Sequence, residues 1–284
     1  MFKKTFLLCF LYTFSYSAEW VNNLNSTTAK MNQYTLMTED PKKGMIIDNL
    51  AADIMIALWG FQNWNWGTES FHVTKEDWFE EDSDTGGADK TGHFYMTYLL
   101  SRVLGSRMQD RGWSLEESSL YGSLSAMLAM TLLEVGDGTS HYGFSKEDLL
   151  ADGMGAVTAY LIRSNPGVDK FLDVRLEYLP SSGYLEHIDT ATDYSGMKHL
   201  IAFKFAGVEE LQDTPLGYME VQLGYYTRGY RAYDIDIAKS QQVYIGIGLD
   251  LTRLADMTGI NVLKNLFEFY QPGHTYVETN LWER

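Results

Sequence analysis

The sequence has 284 residues, of which 45% are hydrophobic and 14% aromatic, and a formal net charge of −16. That length and composition supply a sizeable core and exclude a disordered chain. The charge excludes a nucleic-acid partner, whose phosphates must be neutralised by Lys and Arg, and offers no bulk attraction to anionic lipid.

The chain opens with a basic Met1-Phe-Lys3-Lys4, an apolar stretch from Phe6 to Phe14 and a small-residue run, Ser15-Tyr-Ser17-Ala18. This order predicts a cleaved secretory signal over residues 1–18, because the apolar run is shorter than the roughly 20 residues a membrane span requires. The only cysteine, Cys9, lies inside that run, so the exported chain is expected to carry no disulfide. Leu7-Leu8-Cys9 is a poor lipoprotein box, since Phe10 follows in place of a small residue.

Residues 19–45 are polar and predict no element. Ile47, Leu50, Ile54, Leu58 and Phe61 recur at three- and four-residue spacing, which predicts an amphipathic helix over 47–61. Residues 62–84, with Trp64, Trp66, Trp78 and the acidic run from Glu80 to Asp84, predict a loop with a short helix near Lys75. A helix is expected over Asp89–Met108. A second begins at the capping box Ser114-Leu-Glu-Glu117 and runs to about Val135. A third opens at Ser145-Lys-Glu-Asp148 and stops before Asn165-Pro166-Gly167.

Beyond Pro166 the period changes to two. Leu172–Tyr178 alternates apolar and charged residues, and similar alternation marks the segments around Ile201, Val221 and Ile245, with a further strand at Tyr276–Leu281 after a short helix across 260–270. Antiparallel strands follow from that pattern. One face carries Val, Leu and Ile and the other Gly, Gln and Glu, which also describes lipid-facing strands, although five strands cannot close the smallest common barrel of about 8. Gly246-Ile-Gly248 belongs to a strand and is no phosphate loop. The expectation is an α+β chain: signal 1–18, an N-terminal helix and aromatic/acidic loop 19–85, a helical core 86–165, and an antiparallel sheet or partial barrel 166–284.

The chemistry concentrates in the helices. Asp89 and His93 share a face, continued by Thr97 and Ser101. Glu134 and Asp137 close the second helix, and Asp148 and Asp152 lie four apart on the third, with Lys90 and His141 near in sequence. Gly122, Ser125 and Ala129 mark a face where another helix can approach closely. If these stripes converge, the buried acids need cations, protons or hydrogen bonds.

Three readings stay open. His93 and Lys90 neutralise the acids and hold the fold; or His93, with Glu134, Asp148 or Asp152, binds a divalent metal; or His93, Glu134 and Asp152 perform acid–base catalysis. Arg228, Arg231 and Arg253 beside Tyr225, Tyr226 and Tyr230 suggest lipid headgroups, an interfacial belt or a solvated turn. His187 and His199 read as loop and strand-edge residues.

Ala88-Asp-Lys-Thr-Gly-His93-Phe94, Glu134-Val-Gly-Asp137-Gly138, Gly143-Phe-Ser145 and Asp148–Ala156 together resemble the predicted periplasmic lipoproteins of domain of unknown function 2279, of which the YfiM type is a short member. The likeness covers about residues 86–163. It implies envelope residence and a helical Asp-Lys-His/Glu-Asp/Asp-Asp core, and carries no activity. A looser likeness to VanZ-type membrane proteins rests on the Asp-Lys-x-x-His helix start and implies lipid-facing helices. The leading expectation is an outer-membrane-associated envelope component binding lipid or a partner. The alternative is a hydrolase or transferase on envelope lipids or glycans.

Overall fold

The computed structural model describes residues 38, 40–184, 188–231, 234, 237–258 and 261–284. The expected signal, Cys9 and His187 lie outside the described residues.

Four long or medium helices come first. Asp40 caps α1 (Pro41–Asn63), its carboxylate accepting from the backbone N–H groups of Lys42 and Lys43, with Pro41 in the first turn where its missing N–H costs nothing. The helix therefore starts earlier than its apolar stripe. No helix forms near Lys75: Val73–Thr74 (β1) instead pairs in parallel with Phe144–Ser145 (β2), tying the aromatic loop to the start of a later helix. α2 (Ala88–Asp110) leads through a turn to α3 (Leu115–Asp137), where Ser114 and Glu117 form the full capping box. α4 (Lys146–Arg163) is capped by Ser145, which accepts from Asp148 N–H. Only half of the second capping box forms, because the Asp148 carboxylate lies against Lys90. Asn165 caps a short α5 (Pro166–Phe171) beyond the expected stop.

Five strands follow, β3 (Leu172–Tyr178), β4 (Met197–Lys204), β5 (Met219–Arg228), β6 (Ser240–Leu249) and β7 (Tyr276–Glu283), each antiparallel to its neighbour and ordered as in the chain. The sheet is open, with β3 and β7 at its edges and no closed barrel among the described residues. Where one short helix was expected, two occur, α6 (Leu251–Met257) and α7 (Asn261–Phe267).

α2 is the axis of the helical half, packed on α3 and α4, while α1 lies across α3. Gly122 permits the α2–α3 approach: a Cβ there would sit 2.6 Å from Gly105 N and 2.8 Å from Ser101 O. Tyr95, Tyr98 and Leu99 of α2, Ala159 and Ile162 of α4, Val174 of β3 and Phe269 form the main apolar core.

Several outward faces carry apolar side chains while polar ones are buried beneath them. On α1 the apolar stripe of Leu50, Ile54, Leu58 and Phe61 is exposed, and the buried residues are Gly44, Asp48, Ala52 and Gly60. α3 buries Ser118, Gly122, Ser125 and Ala129 and exposes Leu124, Leu128 and Leu132. α4 exposes Leu150, Met154, Val157 and Leu161. The sheet repeats this arrangement: Glu220, Gln222 and Gln241 are 0% exposed while Ile247 is 53% and Val277 80% exposed. Charge pairing makes the buried polar face tenable: Arg175 donates to Glu220 Oε1 at 2.7 Å and Asp173 Oδ2 at 2.6 Å, and Lys204 to Asp173 Oδ1 at 2.5 Å.

Candidate functional site

α2, α3 and α4 bring their polar positions together around one imidazole. His93 Nδ1 lies 3.2 Å from Asp152 Oδ1 and 3.6 Å from Glu134 Oε1, while its Nε2 lies 3.9 Å from Asp89 Oδ1 and 4.0 Å from Asp148 Oδ1. Two carboxylates thus face each nitrogen. The helical spacing explains why: Asp89 and His93 are one turn apart on α2, and Asp148 and Asp152 one turn apart on α4.

The two sides differ in their cations. On the Nε2 side, the buried Lys90 ammonium is 2.6 Å from Asp148 Oδ1 and 3.1 Å from Asp89 Oδ2, and also contacts Glu76. The Asp148 contact is an ion pair without a well-directed hydrogen bond. Tyr194 donates to Asp89 Oδ1 at 2.5 Å. On the Nδ1 side, the ion pairs of Glu134 and Asp152 among the described residues go to His93 alone. Each of these acids is held by one neutral donor: Thr97 Oγ1 donates to Asp152 Oδ1 at 2.7 Å, and Ser145 N–H to Glu134 Oε2 at 3.0 Å. Asp152 Oδ2 is buried and accepts no hydrogen bond among the described residues.

Burial pushes the Glu134 carboxyl up to about 9 against the pull of His93. Burial likewise lifts Glu76 to about 8, helped by Asp89 and Asp148, and raises Asp148 above its ordinary value. Burial alone would lift Asp89 and weaken the bases, but the charge pairs prevail. His93, Lys90 and the Tyr194 hydroxyl hold Asp89 below its ordinary value. Asp152 and Asp148 raise His93 well above 6.5, and Asp89, Asp148 and Glu76 raise Lys90.

Asp137 stands apart from the ring of acids. Its Oδ1 accepts from Trp66 Nε1 at 2.7 Å, and burial lifts it to about 7. Ser101 donates to Thr97 O and so braces α2 without touching the acids. His141 is exposed, packs its ring at a tilt against Tyr142, and makes no ion pair with the acids of the cluster among the described residues. His199 sits in β4, one strand inside the sheet edge, where Thr91 Oγ1 contacts its Nδ1 at 2.9 Å and burial lowers its pKa to about 4. Arg228, Arg231 and Arg253 stack on Tyr226, Tyr194 and Tyr218 of the same chain.

Glu76, Trp66 and Tyr194 are contacts that sequence spacing does not reveal. Trp66 and Glu76 lie in a segment without periodicity, and Tyr194 is 105 residues from Asp89. The capping-box position of Asp148 gives a reason to place it at a helix end and none to pair it with Lys90.

An α+β protein whose three central helices enclose one histidine among four acids is the class that fold and site define. Residues 75–164 match the sequence model of the family described as "Predicted periplasmic lipoprotein (DUF2279)". That segment contains the whole ring around His93, including Glu76, and it starts earlier than the resemblance read from motifs. The match does not carry the VanZ-type likeness. No curated protein and no solved structure matches the chain. The family's description gives an exported, cell-envelope location and no activity.

Proposed function

We propose that the protein is a lipid-facing, outer-membrane-associated component of the envelope, and that the polar cluster around His93 locks its helices in register. The observation that carries this is the inverted sheet: β5 and β6 bury Glu220, Gln222 and Gln241 and turn Leu223, Ile245, Ile247 and Leu249 outward. A half-buried sheet in water turns its apolar face inward, and a large exposed apolar surface marks an interaction site. The stripes on α1, α3 and α4 extend the same surface chemistry to the helical half. Each aliphatic side chain withdrawn from water contributes about 1.5–3 kcal/mol, so a few suffice to seat the chain on lipid despite its acidic charge.

The hydrolase or transferase alternative uses His93 as base. Carboxylates facing both nitrogens raise the imidazole's hold on a proton, so the ring must release one before either nitrogen can act as a base or as a ligand.

Flotation of the full chain with zwitterionic phosphatidylcholine vesicles tests the reading. Binding should persist in high salt, because it is apolar, and weaken in Leu128→Glu and Ile247→Glu. A chain that stays in the aqueous phase as a monodisperse monomer or dimer contradicts it.

A further inference from the structure

We propose that His93 Nδ1, Glu134 and Asp152 together bind one divalent transition-metal ion of the zinc type. Metal–nitrogen and metal–oxygen bonds of about 2.0–2.1 Å in a tetrahedral site put neighbouring donor atoms about 3.3 Å apart. The separations from His93 Nδ1 to Asp152 Oδ1 and Glu134 Oε1 are 3.2 and 3.6 Å. Ligand atoms of all three residues lie within 4.8 Å of one another.

The second observation is independent of that spacing. Asp152 is 0% exposed, and its Oδ2 has no hydrogen-bond partner among the described residues. A buried carboxylate oxygen is expensive to leave unpaired, and here the oxygen belongs to the side chain whose other oxygen already faces His93. Thr97 and Ser145 each donate one hydrogen bond that orients the two acids, which leaves Glu134 Oε1 and the remaining acceptor capacity of the Asp152 carboxylate for an ion.

The arrangement on the far side of the ring fits the same role. A metal-bound imidazole directs its remaining N–H at a carboxylate, which fixes the ring and its tautomer. Asp89 and Asp148 are the acids that face His93 Nε2, at 3.9 and 4.0 Å. A second histidine–acid triad, Asp89, His93 and Asp148, also falls within ligand range. It is not the site, because the Lys90 ammonium already supplies a cation there, 2.6 Å from Asp148 and 3.1 Å from Asp89. Of the two triads, the Glu134–Asp152 side is the one whose buried acids have no lysine or arginine among their ion pairs in the described residues. One imidazole nitrogen and carboxylate oxygens suit zinc or a similar borderline ion better than calcium or magnesium, which take oxygen shells.

The test is calorimetric titration of the chelator-stripped full chain with Zn²⁺. One ion per chain should bind, with affinity about tenfold or more lower in Glu134→Gln and Asp152→Asn and unchanged in the surface variant Asp82→Asn. Should the site variants fail to fold, Co²⁺ added to the unaltered chain serves instead. A stoichiometric, intense visible absorption of low-coordinate Co²⁺, displaced by Zn²⁺, supports the site. Absence of that spectrum, absence of stoichiometric Zn²⁺ binding, or equal loss of affinity in Asp82→Asn and Glu134→Gln overturns it.

Discussion

His93 Nδ1 sits 3.2 Å from Asp152 Oδ1, although 59 residues separate the two in the chain. The contact joins α2 to α4 and, through Glu134, to α3, so one imidazole holds three helices whose facing surfaces are otherwise rich in small residues.

Replacing that imidazole should therefore cost stability. His93→Gln keeps a polar side chain of similar reach but removes the imidazole from between four acids. Urea denaturation should show a loss of about 1–3 kcal/mol, the cost of depriving buried acids of their partner. A midpoint unchanged from the parent would mean that His93 does not lock the helices.

Lys90 bears a heavier electrostatic load. It is 2% exposed and contacts Glu76, Asp89 and Asp148 at once. Lys90→Met leaves those acids facing each other, and breaking a buried pair in this way costs about 3–5 kcal/mol. Adding Asp148→Asn to Lys90→Met should recover part of the loss in the same denaturation assay. Strict additivity of the two substitutions would show that the residues are not coupled.

The α2–α3 contact depends on Gly122, whose missing side chain leaves room for the Gly105 backbone. Gly122→Val should push the helices apart and destabilise the fold by at least about 1–3 kcal/mol, as overpacking does. An unchanged thermal midpoint in this variant would show that the helices are not in close contact there.

Raised acids make stability fall as pH rises. Asp137, lifted by burial to about 7 from 3.8, holds its proton more tightly when folded. The folded state therefore binds more protons than the unfolded one between about pH 4 and 7, and loses stability across that window. Glu76, lifted to about 8 from 4.5, continues the same trend above pH 7. Thermal midpoints of chelator-treated protein should decline from pH 5 to pH 8, and less so in Asp137→Asn. A rise over that range has the wrong sign for this account.

Much of this is readable in the sequence because it is local. Ser114 and Glu117 announce a helix start, the one-turn spacings of Asp89/His93 and Asp148/Asp152 put each pair on a common face, and strict alternation marks Leu172–Tyr178 as a strand. Asp40 and Pro41 are an equally local signal, obscured because the apolar stripe begins later. What stays hidden is long-range. Periodicity identifies an apolar stripe such as Leu50, Ile54 and Leu58 but not the direction in which it points, and here it points outward. Glu76 and Tyr194 reach the cluster only through the pairing of β1 with β2 and the packing of the turn at Tyr194–Gly196 onto α2.

The most direct measurement of the central claim is collision accessibility of spin labels on vesicle-bound protein. Residues 19–284 contain no cysteine, so single cysteines at Leu128, Val157 and Ile247 can each carry one label. The account predicts that all three labels collide with dissolved oxygen, which concentrates in acyl chains, more often than with a water-soluble nickel chelate. Labels that favour the nickel reagent, as side chains standing in water do, would contradict it.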